Sequence, residues 1–192
     1  MRIEKKYLNF DGEIALFEEK PFTGFCVEHF DSIGEQHYKV RSSLDVFGSE
    51  GNYKNGKKDG LWTYWYPEGQ KRSESNFKDG VENGVTTCWY QNGQQLSEKH
   101  YKNGAEDGVT TYWNSNGQKS SEAHYKEGTL MGPHITWHEN GQMKNKEHYK
   151  NGTREGLHTI WHDNGQKSTE IHYKDGKEDG KKIYEKHFMD EK

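Results

Sequence analysis

The chain has 192 residues, of which 29% are apolar and 30% charged, with a formal net charge of −4. So low an apolar fraction argues against one large compact core, and a slightly acidic chain has no overall attraction for nucleic acid. The opposite extreme, a disordered chain, is poor in rings, whereas 14% of these residues are Phe, Trp or Tyr and need something to pack against.

Residues 1–20 contain no apolar run of signal-peptide length, and no later segment approaches a membrane span, so a cytoplasmic protein is expected. Residues 1–52 read as a degenerate N-terminal repeat or cap. The stretch PFTGFCVEHFDSIGEQHYKV follows the order glycine, strand, turn, strand, with one extra residue before Gly34. An insertion at 40–51, RSSLDVFGSEG, has no counterpart further on, and breaks of this kind often mark the binding face of an array. Cys26 and Cys88 fall at non-equivalent positions of non-adjacent units and read as two inert thiols.

From 53 to 180 the chain reads as five regular repeats, because glycine recurs every 24 residues at Gly56, Gly80, Gly104, Gly128, Gly152 and Gly176. A second series runs from Gly60 through Gly84, Gly108, Gly132 and Gly156 to Gly180. A third, Gly69, Gly93, Gly117, Gly141 and Gly165, is preceded by Asn in four of its five members. Asn-Gly between β-forming runs predicts a two-residue type I′ hairpin turn, with strands over 61–66 and 70–77 in the first copy. The KNGxxDG segment then links one hairpin to the next. This register places Phe77, Tyr101, Tyr125, Tyr149 and Tyr173 opposite the second-series glycines, a ring covering bare backbone each time.

Alternation puts Trp65, Trp89, Trp113, Trp137 and Trp161 on the other face, with Leu61, Val85, Val109, Leu157, a glutamate column and His100, His124, His148 and His172. Arg72, Leu96, Ser120, Lys144 and Ser168 are expected opposite the tryptophans, unless a bulge intervenes. Residues 181–192 read as a capping strand over 181–188 and a tail, with Glu185 where tryptophan stood; charge there blunts an exposed edge, although edge-to-edge homodimers stay conceivable.

These columns invite three chemical readings. His134, His138, His158 and His162 share a face, but strand spacing separates equivalents in successive hairpins by roughly 9–10 Å, too far for shared zinc ligation, so no metal site is expected. Glu98 beside His100 suggests acid–base work, yet five near-identical copies supply no single asymmetric pocket, and no catalytic residue or cofactor is assigned. Lys78, Lys102, Lys126, Lys150 and Lys174 form a basic column whose field neighbouring Asp and Glu partly cancel, which disfavours a membrane or nucleic-acid partner.

The segment YKNGKKDGLWTYWYPEGQKRSESNFKDG and its copies, YKNGAEDGVTTYWNSNGQKSSEAHYKEG among them, resemble the MORN-repeat variant common in bacterial proteins of the YwqK-type antitoxin family. The match is close over 53–184 and weak over 7–52, with departures at Pro133, in a strand-start apolar position, and Lys146, in the glutamate column. The resemblance implies an all-β protein, an elongated single-layer antiparallel sheet of consecutive 24-residue hairpins. It also implies a non-enzymatic antitoxin or immunity-type protein that occludes a toxin encoded nearby. Tyr64, Tyr66, Trp89, Tyr90, Trp113, Tyr112, Trp137, His100, His124 and His148 are the expected contacts, since large rings are enriched where proteins meet. A MORN-repeat scaffold or membrane-associated adaptor is the alternative.

Overall fold

The computed structural model describes residues 2–4, 8–11, 14–29, 47–180 and 183–184. The extra residue before Gly34, the insertion up to residue 46 and most of the capping strand over 181–188, Glu185 included, lie outside these residues. The described chain is all-β and divides into two compact units, 1–105 and 106–192. Each is an antiparallel succession of hairpins, and no helix long and apolar enough to cross a membrane occurs among the described residues.

In the first unit, Gly24–His29 pairs with Phe47–Lys54, which pairs with Lys57–Trp65, then Lys71–Lys78, Val81–Trp89 and Gln95–Lys102. The return strand of the degenerate repeat is therefore Phe47–Lys54, so the stretch expected as an insertion becomes strand from Phe47 onward. Gly24 faces Tyr53 just as Gly60 faces Phe77, which shows that the glycine–ring pairing already operates in this hairpin. Arg2–Glu4 adds a parallel strand beside 25–27.

A second, three-stranded sheet of Asn9–Asp11, Ile14–Phe17 and Lys20–Pro21 doubles the layer at this point. Leu8, Ala15, Phe22, Cys26, Tyr53 and Trp62 are buried together, so this poorly apolar chain does build a small aromatic core. Phe22 meets Tyr53 and Tyr53 meets Trp62 edge to face, with centroids 6.0 and 5.0 Å apart. Such pairs add about 0.5–1.5 kcal/mol each beyond the area they bury. Trp62 also seats its indole N–H on the Asn52 carbonyl at 3.0 Å, which settles its one polar atom.

The second unit repeats the pattern through Gly108–Trp113, Lys119–Lys126, Thr129–Trp137, Met143–Lys150, Gly156–Trp161 and Lys167–Lys174. Gly108, Gly132 and Gly156 face Tyr125, Tyr149 and Tyr173, as the hairpin register requires. Pro133 sits where the ladder to strand Lys119–Lys126 skips from Tyr125–Leu130 to Ala123–His134, a bulge at which a missing N–H costs no ladder bond.

The turn chemistry differs from the expectation at both ends of the hairpins. Asn92, Asn116, Asn140 and Asn164 do not take positive φ; the Gly93 N–H donates to the Tyr90 carbonyl and the Tyr90 N–H to the Gln94 carbonyl. This is a three-residue loop, a type I turn closed by a left-handed glycine. Asn is favoured there for its side chain: Oδ1 of Asn92, Asn116, Asn140 and Asn164 accepts the N–H two residues on, at 3.0 Å. The two-residue type I′ turns instead join successive hairpins, at Asn55–Gly56, Asp79–Gly80, Asn103–Gly104, Glu127–Gly128, Asn151–Gly152 and Asp175–Gly176, where both residues have positive φ.

Each of these turns leans on the chain one repeat earlier. The N–H of Gly80, Gly104, Gly128, Gly152 and Gly176 donates to the carbonyl of Lys58, Glu82, Glu106, Leu130 and Arg154. The residue before the glycine is held by a side chain: Asn103 by Asn83, Glu127 by Asp107, Asn151 by Met131 and Asp175 by Glu155. The first such turn finds its acceptors in the N-terminal sheet region, Gly56 on the Phe22 carbonyl and Asn55 on Thr23 Oγ1.

Candidate functional site

The tryptophan face follows from strand alternation, and its lateral partners differ from those expected. Trp65, Trp89, Trp113, Trp137 and Trp161 lie across from Lys71, Gln95, Lys119, Met143 and Lys167. A one-residue bulge takes Arg72, Leu96, Ser120, Lys144 and Ser168 out of that pairing, and Arg72 turns instead onto the Tyr64 ring, 5.8 Å away.

The corrected pairing reveals a recurring clip. Lys71 pairs with Glu74 while its Nζ lies 5.9 Å from the Trp89 ring centroid, one repeat on. Lys119 pairs with Glu122 at 2.6 Å and lies 5.8 Å from Trp137. Lys167 pairs with Glu170 at 2.7 Å, and Gln95 takes the same place on Glu98 with an amide. Half-exposed ion pairs of this kind contribute little stability. They do bring an ammonium against the rings of Trp89 and Trp137. The three-residue spacing of Lys and Glu was visible in the sequence; the partner ring was not, because it depends on the bulge.

All five tryptophans of this column are half-buried. His100 faces Val85 and His124 faces Val109, both half-buried, while His148 faces Pro133 and is exposed. Trp89 and His100 thus share a face in the first unit, as do Trp113, His124, Trp137 and His148 in the second. Tyr64 and Tyr112 alternate onto the opposite face. Tyr64 packs there at the aromatic core and accepts a hydrogen bond from Lys58 Nζ at 2.6 Å, whereas Tyr112 is exposed. Tyr66 and Tyr90 sit at the hairpin loops, and the Tyr66 hydroxyl donates to the Trp89 carbonyl at 2.9 Å, a bond that ties neighbouring repeats together. The ten residues expected to act together therefore divide between two faces and the loop rim.

The other columns resolve into structure. His138 Nε2 bonds the Trp161 carbonyl at 3.0 Å, as Tyr66 does to Trp89, and His134 Nε2 meets Ser121 Oγ at 3.2 Å. No group of His, Cys, Asp and Glu that could hold a metal ion occurs among the described residues. Cys26 is buried and Cys88 half-buried, and neither is in a disulfide.

Consecutive β-hairpins of one length, stacked through their turns and carrying one ring column on each face, define a β-hairpin repeat scaffold. The MORN repeat variant family matches at 58–79, 82–103, 106–127, 132–151 and 154–175, together more than half of the chain, and the chain belongs to that family. No curated protein matches it.

Proposed function

We propose that the protein is a non-enzymatic antitoxin or immunity-type protein that binds a toxin encoded nearby and occludes it. The observation that carries this reading is the tryptophan face. All five indoles of the column are half-exposed, and Trp89 and Trp137 are each approached by the clip lysine of the preceding repeat, which restrains the ring and lowers the entropy cost of docking. Half-exposed tryptophans of this kind match the aromatic enrichment of protein-binding surfaces. Trp89 and His100 are the centre of contact in the first unit, and Trp113, Trp137 and His124 in the second.

Co-expression with the product of the adjacent reading frame tests this. A poisonous neighbour is rescued by the intact chain, forms a stable complex with it, and is no longer rescued once Trp113 and Trp137 are replaced by alanine in a chain that still folds. A harmless neighbour, or rescue indifferent to those rings, defeats the proposal. Membership of the MORN repeat family favours a second reading, a scaffold or membrane-associated adaptor. Sedimentation with anionic vesicles that depends on the exposed Lys102 and Lys126 would select it.

A further inference from the structure

One polar cluster in the second unit is not explained by the repeat. The positions equivalent to Glu147 hold Ser75, Lys99, Ala123 and Ile171, and those equivalent to His158 hold Trp62, Thr86, Thr110 and His134. Glu147 lies on the face opposite the tryptophans, directly across from His134, and the strand carrying His158 pairs on its other side. Glu147 and His158 are each only 8% exposed, a burial that charged groups tolerate only when paired.

The carboxylate is already committed. Glu147 Oε2 accepts from the Tyr149 hydroxyl and from Arg154 Nε, both at 2.8 Å, and Arg154 Nε also lies 3.3 Å from the Tyr149 hydroxyl. His158 Nε2 stands 3.7 Å from Glu147 Oε1, beyond hydrogen-bond length, and neither ring nitrogen of His158 bonds within the protein. Ile171 lies across from His158, the Tyr173 ring is 6.1 Å away, and the Arg154 guanidinium stacks on Tyr173 at 5.4 Å. Among the described residues, the titratable groups around this imidazole are thus Glu147, Tyr149, Arg154 and Tyr173, with His134 beyond Glu147, while Glu170 and His172 of the neighbouring strand alternate to the other face.

We propose that His158, wedged between Ile171 and the occupied Glu147–Arg154 pair, is an acid-operated release that loosens strands Met143–Lys150, Gly156–Trp161 and Lys167–Lys174 ahead of the rest of the unit. A neutral ring suits this apolar niche. A protonated one needs water or a free carboxylate, and among the described residues the only carboxylate in reach is shared with a guanidinium that repels it. Burial lowers the proton affinity of His158 below the ordinary imidazole value; Glu147 opposes the shift and Arg154 reinforces it. A depressed folded-state value means that the unfolded chain takes up the proton first. The stabilisation is therefore complete above about pH 6.5, the ordinary histidine value, and drains away as pH falls towards the lower folded-state value.

Hydrogen exchange of the intact chain at pH 7.5 and 5.5, corrected for the intrinsic rate, tests the proposal. Peptides over 143–174 are expected to lose more protection at pH 5.5 than peptides over 106–127, because only the former carry an imidazole whose proton affinity is lowered by folding. The variant His158→Thr, which installs the residue found at position 110, is expected to abolish that difference. Equal loss in both regions, or acid sensitivity that persists in His158→Thr, overturns it. Direct NMR titration of the wild-type ring decides the matter should the variant fail to fold: a value at or above the ordinary one overturns the proposal, and one well below supports it.

Discussion

The amide of Asn151 donates to the thioether sulfur of Met131 at 3.1 Å, at a turn whose counterparts rest on the carboxylates of Asp107 and Glu155. Sulfur is a weak acceptor, so this turn is the least firmly held of the three in the second unit. Replacing Met131 by Asp supplies the missing oxygen and is expected to stabilise the unit by about 0.5–1.5 kcal/mol, the net value of one such bond. A thermal melt that moves down in place of up would show that the methionine's packing outweighs its poor acceptor.

Trp62 and Gly51 depend on each other. They are paired across neighbouring strands, and a Cβ added at Gly51 would fall inside the Trp62 indole. Gly51→Ala is expected to cost about 1–3 kcal/mol through overpacking, and Trp62→Ala about 3–5 kcal/mol through the void left in the aromatic core. Chemical denaturation monitored in the first unit measures both. The double variant should cost less than the sum of the two, since the added methyl enters the space that the ring vacates.

The two turn types differ in their response to glycine. Asn116→Gly removes the acceptor for the Gln118 N–H and adds backbone freedom, so it is expected to destabilise by about 0.5–1 kcal/mol. Asp175→Gly relieves a non-glycine residue at φ 49° while keeping the backbone bond of Gly176, and is expected to be close to neutral. Equilibrium unfolding of the two variants checks the sign; a neutral Asn116→Gly would contradict the three-residue loop.

Arg154 is the partner that makes a buried Glu147 tolerable. Arg154→Met leaves the carboxylate with Tyr149 alone and is expected to cost about 1–3 kcal/mol, the penalty of stranding a buried polar group, reduced because the arginine side chain is itself 42% exposed. Urea unfolding measures it. Methionine retains the aliphatic contact with Tyr173, so a large loss reports on charge and hydrogen bonding and not on packing.

The strand interiors were legible in the sequence for an instructive reason. The loop at Asn92–Gly93 is one residue longer than a two-residue turn allows, and the bulge at Leu96 absorbs that residue, so Cys88 still meets Ser97 and Gly84 still meets Tyr101. Two local departures cancel, and the period of 24 conceals both. Between them the pairing slips, which is why the partners of the tryptophans had to come from the structure. The aromatic core was hidden differently: Trp62 occupies a column held elsewhere by Thr86, Thr110, His134 and His158, and its burial depends on Leu8, Ala15 and Phe22, which no repeat contains. The Glu147 cluster announces itself only as a pair of column exceptions, and nothing short of geometry separates such an exception from a tolerated surface change.

The turns that borrow their acceptors from the preceding repeat give the array a direction. Shortening it from the carboxyl side takes away borrowers and leaves the amides of every remaining connecting turn served, whereas a cut that removes Phe22 and Thr23 orphans the amides of Gly56 and Asn55 at the head of the series. For the connecting turns, then, the amino-terminal end is the foundation on which the series rests, and the carboxyl end supports no turn beyond itself.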